Sequence, residues 1–208
     1  MSENFFATIS RMKYIERWAL MRNARTETLS EHSMEVSMIA HALCTIGNVR
    51  HGRQLDCEKA ALIGLYHDAS EIITGDMPTP VKYYNREIRA AYKDVERRAD
   101  MHLLEKLPAD LRPTYEAIFF ADEAFAGMTE AEIENEKYLR KLVKAADKIS
   151  ALIKCIEEEN AGNREFRTAK KTIQKSIDEL TALYPEVDDF VRDFLPPYGN
   201  TLDELLDR

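Results

Sequence analysis

The 208-residue chain has little of the three residue types that break helices or cross-link folds, with only 7 Gly, 7 Pro and 3 Cys. Few glycines and prolines beside 45% hydrophobic residues favour a compact helical protein over a disordered or all-β one. Cys44, Cys57 and Cys155 are scattered and odd in number, and they form no C-x-x-C pair. They predict reduced thiols in a cytoplasmic protein rather than a disulfide framework.

Long apolar runs and an excess of positive charge are also missing. No window reaches the ~18 uninterrupted apolar residues of a membrane span. The start, Met1-Ser2-Glu3-Asn4, lacks the basic and apolar regions of a signal peptide. A formal net charge of −8 opposes binding to nucleic acid polymers and anionic membranes. We therefore expect one cytoplasmic domain over residues 1–208, in which a small anionic substrate would need a locally positive site.

Apolar periodicity predicts one helix after another, and hence an all-α fold. The chain between the helices supports this, because Asp76-Met77-Pro78-Thr79-Pro80 holds two prolines and cannot be helix interior. The acidic stretch at about 122–136 is predicted as a solvated loop and helix start. Helices are predicted at about 5–22, from the capping box Thr28-Leu29-Ser30-Glu31, from Asp56 to Gly75, and at about 84–106, 130–160 and 163–184. Phe190 to Leu195 is predicted as a short packing segment and Thr201-Leu202-Asp203-Glu204 as a final cap.

The strongest chemical signal is the adjacent pair His67-Asp68, with Glu71 following on the same predicted helix. An imidazole and a carboxylate side by side can hold one divalent cation. A carboxylate four residues after the imidazole would lie over the same helix face and could move a proton without being a ligand. With His32 and Asp147 from other helices, the set offers two nitrogen and two oxygen donors. Such donors suit Mn, Fe, Co, Ni or Zn better than Mg or Ca, and a bound metal would activate water as the nucleophile.

Each of these residues also has an ordinary structural interpretation. A lone histidine on an apolar helix face, such as His32, is more often a core residue bonded to a backbone carbonyl. Asp147 alone would be a surface partner of Lys144 or Lys148, and Glu71 alone a solvated carboxylate. Only the joint pattern favours a metal centre, because an inward histidine followed by an inward aspartate is costly unless both are satisfied.

Two residues near the N-terminus are candidate substrate contacts. The guanidinium of Arg17 could bind two phosphate oxygens at once, or it could be a surface charge near Glu16. Trp18 is the only tryptophan, and from the residues alone core packing is the simpler explanation for it. P-loop, G-x-G-x-x-G, H-E-x-x-H and G-x-S-x-G motifs are all absent from the sequence.

With these residues in view, the chain resembles the HD-domain metal-dependent phosphohydrolases. More narrowly, it resembles the bacterial HD-domain 5′-deoxynucleotidases, which remove phosphate from deoxyribonucleoside 5′-monophosphates. The Arg-Trp pair and the Gly-Asp-x-Pro-Thr-Pro loop are the narrowest signals. The stretches that carry the likeness are Phe5-Phe6 to Arg11, Arg17 to Asn23, Arg25-Thr26-Glu27, Ser30 to Ser33, Tyr66 to Glu71, Thr74 to Tyr83, Lys144 to Asp147 and Leu152 to Glu158.

The resemblance implies an all-α HD-domain helical bundle with its metal site between helices, and a homodimer. The implied metal is one divalent transition ion, Co, Mn or similar, and the implied substrate is a deoxyribonucleoside 5′-monophosphate. The implied metal ligands are His32, His67, Asp68 and Asp147. The implied catalytic residues are Glu71 and Arg17, and the implied substrate contacts are Arg17, Trp18, His32, Asp68, Asp76, Met77, Pro78, Thr79 and Asp147.

An indole beside the sugar, as Trp18 would be, gives a physical route to rejecting a 2′-hydroxyl by steric clash. Two alternatives stay open. The chain could be an HD hydrolase of another phosphate ester, such as a cyclic nucleotide or a nucleoside triphosphate, although a triphosphate would need more cationic residues than Arg17 and its neighbours. It could also be a non-catalytic, metal-stabilised helical module, which would have no need of Glu71.

Overall fold

The computed structural model describes residues 3–82, 84–125 and 127–207, with the side chain of Thr79 left outside the description. Tyr83, which ends one stretch of the resemblance, also lies outside the described residues. The described residues are helical throughout apart from turns, loops and one antiparallel bridge between Glu16 and Thr28. The elements are α1 (Phe5–Ile9), a 3₁₀ turn (Ser10–Tyr14), α2 (Leu29–Arg50), α3 (Cys57–Tyr66), α4 (Glu71–Thr74), α5 (Thr79–Lys82), α6 (Arg86–Leu104), α7 (Arg112–Phe119), α8 (Ala121–Ala124), α9 (Glu130–Asn160), α10 (Arg167–Thr181), α11 (Pro185–Asp193), a second 3₁₀ turn (Pro196–Gly199) and α12 (Leu202–Leu205).

The main core lies between α2, α3 and α9, with α10 and α11 packed against α9 and α2. Leu43 of α2 and Leu142 and Ile149 of α9 are all fully buried there. The two long helices begin where the sequence predicts, because Thr28 and Thr129 each form a complete capping box. The core therefore holds α2 and α9 side by side. This packing brings the first turns of α2 close to the middle of α9.

A smaller apolar cluster holds the N-terminus against α6. Phe5, Ala69, Leu103, Leu104 and Leu107 form its buried part. Ala69 belongs to the turn that follows α3, and it is fully buried. Because burial fixes Ala69, this cluster anchors the turn that carries the His-Asp pair.

Two predicted helices are shorter than expected. The helix predicted at about 5–22 ends at Ile9, and after the 3₁₀ turn Ile15 is extended, Glu16 forms the bridge to Thr28 and residues 17–20 form a turn. The cause is tertiary pairing: the backbone N–H of Arg17 donates to the carbonyl of Glu27 at 2.9 Å, and that of Leu29 to Ile15 at 2.8 Å. The helix predicted from Asp56 to Gly75 breaks after Tyr66, because the chain turns to bury Ala69.

Other boundaries agree more closely. Asp56 caps α3, and Gly75 ends α4 with a φ of 72°, in the left-handed region. The proline-rich segment is a loop only as far as Pro78, since Pro80 enters the first turn of α5, where a missing N–H costs nothing. The short helices α7 and α8 were not predicted, and α8 occupies the start of the stretch predicted as a solvated loop. Among the described residues, no helix has the length and apolar character needed to cross a membrane.

Candidate metal centre and active site

Four side chains from three parts of the fold converge between the helices. His32 lies in the first turns of α2, His67 and Asp68 lie in the turn that ends α3, and Asp147 lies in the middle of α9. One donor atom from each lies within 4.8 Å of the others. The structure therefore brings together all four residues that the sequence singles out as metal ligands.

The centre consists of two histidine-aspartate pairs. His67 Nε2 lies 3.0 Å from Asp68 Oδ2, and His32 Nε2 lies 3.2 Å from Asp147 Oδ1. The cross distances are only slightly longer, 3.7 Å from His32 to Asp68 and 3.8 Å from His67 to Asp147. The four donors thus surround a single point, as one cation would require.

Small residues let the helices approach closely enough for this. A Cβ added at Gly64 of α3 would lie 3.0 Å from both the Cα and the backbone nitrogen of Ser37 in α2. Ala145 and Ala146 of α9 are fully buried, beside Asp147. The absence of larger side chains at these positions allows α2, α3 and α9 to bring their donors to one centre.

The donor set fits a divalent transition metal. The Nε2 atoms of His32 and His67 are buried and have no partner with hydrogen-bond geometry among the described residues. Burial lowers the pKa of His32, which keeps it a neutral ligand. Burial raises the pKa of Asp147, but the neighbouring His32 and His67 rings outweigh it and hold that pKa well below its usual value. Buried nitrogens without partners beside ionised carboxylates are satisfied by a cation that binds both.

Glu71 is the next carboxyl group beyond the ligands. It is the first residue of α4, so the turn at 67–70 separates it from α3, and the expectation of one shared helix face was wrong. Its side chain is not solvated either, since Glu71 is 5% exposed and its Oε2 has no hydrogen-bond partner among the described residues. Burial, together with the nearby carboxylates of Asp68 and Asp76, raises its pKa to about 9. A carboxyl group in this state can hold and release a proton near the metal centre.

Arg17 is buried against the centre and is not a surface charge. Its side chain is 11% exposed, and Nη1 donates to Glu27 Oε2 at 2.8 Å. Burial opposes the charge of Arg17, but Glu27 and then Asp147 and Asp68 stabilise it and raise its pKa. Arg17 is thus a fixed cation whose field reaches both metal-ligand carboxylates. No role was predicted for Glu27, although it stands in the Arg25-Thr26-Glu27 stretch that carries the family resemblance.

Trp18 and Asp76 are joined directly. The backbone N–H of Trp18 donates to Asp76 Oδ2 at 2.9 Å. Trp18 has a φ of 58°, an uncommon left-handed conformation for a bulky residue that often marks functional sites. Its ring packs edge-on against Phe166 with centroids 5.4 Å apart. The hydrogen bond between Trp18 and Asp76 therefore connects the Arg17-Trp18 segment to the loop after α4, where Met77 and Pro78 are half-buried.

The structure adds a second cation that the sequence interpretation did not single out. Lys82 Nζ lies 2.6 Å from Glu96 Oε1 and over the ring of Tyr92, 5.0 Å from its centroid. Its charge lowers the pKa of Glu71, against the effect of burial. In the sequence, Lys82 was marked only by its place in the Thr74 to Tyr83 stretch that carries the family resemblance.

Comparisons with known proteins point to one family. A family model for 5′-deoxynucleotidase YfbR-like proteins matches residues 4–198. A 5′-deoxynucleotidase of Erwinia tasmaniensis is 46% identical over 202 residues, which cover 97% of this chain and 96% of the relative. The 5′-deoxynucleotidase YfbR of Salmonella paratyphi B is 44% identical over 97% of this chain and 95% of its own length.

Solved structures share the fold. An HD-domain phosphohydrolase from Listeria innocua matches with a TM-score of 0.75 and 24% identity, over 94% of this chain and 88% of that one. The HD phosphohydrolase of cyanophage S-2L, bound to dA and one catalytic Zn²⁺ ion, matches with a TM-score of 0.59 and 18% identity, over 94% of this chain and 96% of that one. The helical architecture is therefore the HD-domain fold, and the match over residues 4–198 with near-complete coverage of both relatives establishes that the chain belongs to the YfbR-like 5′-deoxynucleotidase family of HD-domain phosphohydrolases.

Proposed function

We propose that this chain is a metal-dependent 5′-deoxynucleotidase, which hydrolyses 2′-deoxyribonucleoside 5′-monophosphates to deoxynucleoside and phosphate. His32, His67, Asp68 and Asp147 are its metal ligands. The observation that carries the proposal is their convergence within 4.8 Å, beside a buried arginine and a buried carboxyl group without a partner. Relatives named as 5′-deoxynucleotidases support the substrate class.

The metal fits the two nitrogen and two oxygen donors, and Co or Mn is the proposed ion. When bound, a divalent metal there would polarise a phosphate oxygen and lower the pKa of a coordinated water. The chain itself supplies the second positive charge. Arg17, held by Glu27, faces Asp68 and Asp147 and would bind the phosphate oxygens as negative charge develops on them.

Glu71 is the proposed proton donor. With a pKa raised to about 9 by burial and by Asp68 and Asp76, the side chain carries its proton at neutral pH before a metal binds. With a cation at the centre, Glu71 would have a lower pKa and would be a stronger acid. The departing 5′-oxygen of a nucleoside needs a proton, and a buried carboxyl group beside the phosphate is suited to give it.

Trp18 and the loop from Asp76 to Thr79 are the proposed sugar contacts. The hydrogen bond from Trp18 to Asp76 fixes their relative position, and the packing on Phe166 fixes the indole. A rigid indole at C2′ would leave an added hydroxyl crowded and without a polar partner. This arrangement accounts physically for a preference for deoxyribose.

The two alternative functions receive less support. A nucleoside triphosphate would need several cations, and the two whose charges act on Glu71, Arg17 and Lys82, are both already paired with glutamates. A purely structural metal site has no need of Glu71, whose buried Oε2 lacks a hydrogen-bond partner among the described residues.

Phosphate release from a panel of nucleotides tests the proposal. The protein is supplied with Mn²⁺ or Co²⁺ and given deoxyribonucleoside 5′-monophosphates, the matching ribonucleotides, a 3′-monophosphate, a cyclic nucleotide and a triphosphate. We expect release chiefly from the deoxy 5′-monophosphates, and none from the Asp68→Ala control. Preferred hydrolysis of the triphosphate or the cyclic nucleotide would contradict the proposed substrate class.

The homodimer, the single domain over residues 1–208 and the cytoplasmic location complete the proposal. Sedimentation should give twice the mass of the 24.0 kDa chain. Unfolding should be one cooperative transition, since α2 and α9 share one core.

A further inference from the structure

A chain of two hydrogen bonds starts at His32 Nδ1, the ring nitrogen that does not face the other ligands. The ring Nδ1 lies 2.9 Å from Ser150 Oγ, and both residues are fully buried. Ser150 Oγ in turn lies 2.5 Å from Glu35 Oε2. Ser150 stands three residues after Asp147 on α9, and Glu35 stands three residues after His32 on α2. The contact therefore joins the two helices that supply the distant ligands.

The direction of these bonds follows from the donors available. Burial raises the pKa of Glu35 to about 7, against the effect of the Ser150 hydroxyl, so at pH 8 the carboxylate is mostly ionised and can only accept. Ser150 has one hydroxyl proton and donates it to Glu35. Its oxygen must then accept from His32, which places a proton on Nδ1 of that ring.

This proton position decides what the other ring nitrogen can do. A histidine that binds a metal through one ring nitrogen is neutral and holds its single N–H on the other. With that proton on Nδ1, the lone pair of Nε2 faces Asp147 Oδ1 at 3.2 Å. The opposite tautomer would place an N–H on Nε2, where it could bond to Asp147 and block metal binding.

We propose that Glu35 and Ser150 are positioning residues, which hold His32 in the Nδ1–H tautomer and so keep Nε2 free as a metal ligand. The proposal rests on the proposed metal function. His67 needs no such side chains, because its Nδ1 lies 2.7 Å from the backbone carbonyl oxygen of Gly64, which can only accept. A partner on the second nitrogen of a ligand histidine orients the ring and strengthens metal binding.

The tautomer can be measured in the metal-free protein at pH 8, from long-range ¹H–¹⁵N correlations of ¹⁵N-labelled histidines. We expect the Nδ1–H form of His32 in the wild type and in Ser33→Ala. Ser33 is an apt control because it is also fully buried, is adjacent to His32, and has a hydroxyl with no hydrogen-bond partner among the described residues. We expect Ser150→Ala to shift His32 toward the Nε2–H form. A Ser150→Ala protein that keeps the wild-type tautomer overturns the proposal.

Calorimetric titration with Co²⁺ supplies the second readout. Ser150→Ala should weaken Co²⁺ binding by roughly 10- to 100-fold, the usual effect of removing such a partner. Glu35→Gln keeps an oxygen that can accept from Ser150 and should bind nearly as well as the wild type, whereas Glu35→Leu should match Ser150→Ala. If Ser150→Ala fails to fold, the comparison of Glu35→Gln with Glu35→Leu still tests the proposal. Equal Co²⁺ affinity in Glu35→Leu and wild type overturns the proposal, whereas a wild type that binds no Co²⁺ overturns the proposed function and leaves the tautomer result standing.

Discussion

The metal centre has a local half and a distant half, and they are built differently. His67 and Asp68 are adjacent in the chain, and the ring of His67 is held by the backbone of Gly64, three residues earlier. His32 and Asp147 come from α2 and α9 and meet only because those helices share a core, and the ring of His32 is held by the side chains of Ser150 and Glu35. The local half depends on one turn of chain, whereas the distant half depends on packing and on replaceable side chains.

The largest effect is expected when a carboxylate is removed from either half. Asp68→Ala and Asp147→Ala should both abolish metal binding and reduce phosphatase activity by on the order of 10³-fold or more, because each removes a ligand that stabilises the transition state through the metal. Metal content and phosphate release check this. If one variant kept metal and activity while the other lost both, the two halves would not form one centre.

A smaller but still large effect is expected for Glu71, which follows the local half without being a ligand. Glu71→Gln should keep metal and nucleotide binding and lower turnover of a deoxynucleotide by roughly 10²- to 10⁴-fold. If Glu71 donates a proton to the leaving oxygen, a nitrophenyl phosphate, whose leaving group needs no proton, should suffer much less. An equal loss on both substrates would make Glu71 the base toward water, and loss of metal would make it a ligand.

Sugar selection should respond more weakly, since we propose that it comes from contact of Trp18 with the sugar beside the centre. Trp18→Ala should lower discrimination between deoxy and ribo 5′-monophosphates by about 1–3 kcal/mol, chiefly through higher activity on the ribonucleotides. The ratio of kcat/KM for matched deoxy and ribo substrates measures it. If both rates fall together and the ratio stays the same, Trp18 only packs on Phe166 and selection lies elsewhere.

The smallest effect is expected from removing a helix cap, which should weaken metal binding only when the cap lies close to a ligand. Thr28 and Thr129 form equivalent capping boxes, so replacing either by alanine should cost about 1 kcal/mol of stability. Thr28 stands four residues before His32, while Thr129 is about five turns before Asp147. Denaturant unfolding should show similar losses, but only Thr28→Ala should weaken Co²⁺ binding, by a few-fold. Equal affinities in the two variants would show that the distant half does not depend on the first turn of α2.

The sequence predicted the local half and much of the fold because their signals are local. Capping boxes and apolar periodicity located α2 and α9, and adjacency marked His67-Asp68. The break after Tyr66 was missed, because it comes from burial of Ala69 against α6.

The distant half was predicted only from the joint pattern of donors, which the family resemblance then strengthened, since each of its residues alone had a simpler explanation. Even the resemblance did not assign the partners that orient the site. Ser150 and Glu35 behind His32, and Glu27 behind Arg17, are ordinary polar residues in the sequence. Their roles come from contacts between segments far apart in the chain, such as the contact between His32 and Ser150, which are separated by 118 positions.

A titration of the metal-free protein with Mn²⁺, with phosphate release from a deoxyribonucleoside 5′-monophosphate followed throughout, tests the central claim most directly. Both halves together should form one centre. Activity should therefore be absent at the start, rise with added Mn²⁺ and saturate at one equivalent per chain. Full activity before any metal is added, or saturation only at two equivalents, would contradict a single centre made by His32, His67, Asp68 and Asp147.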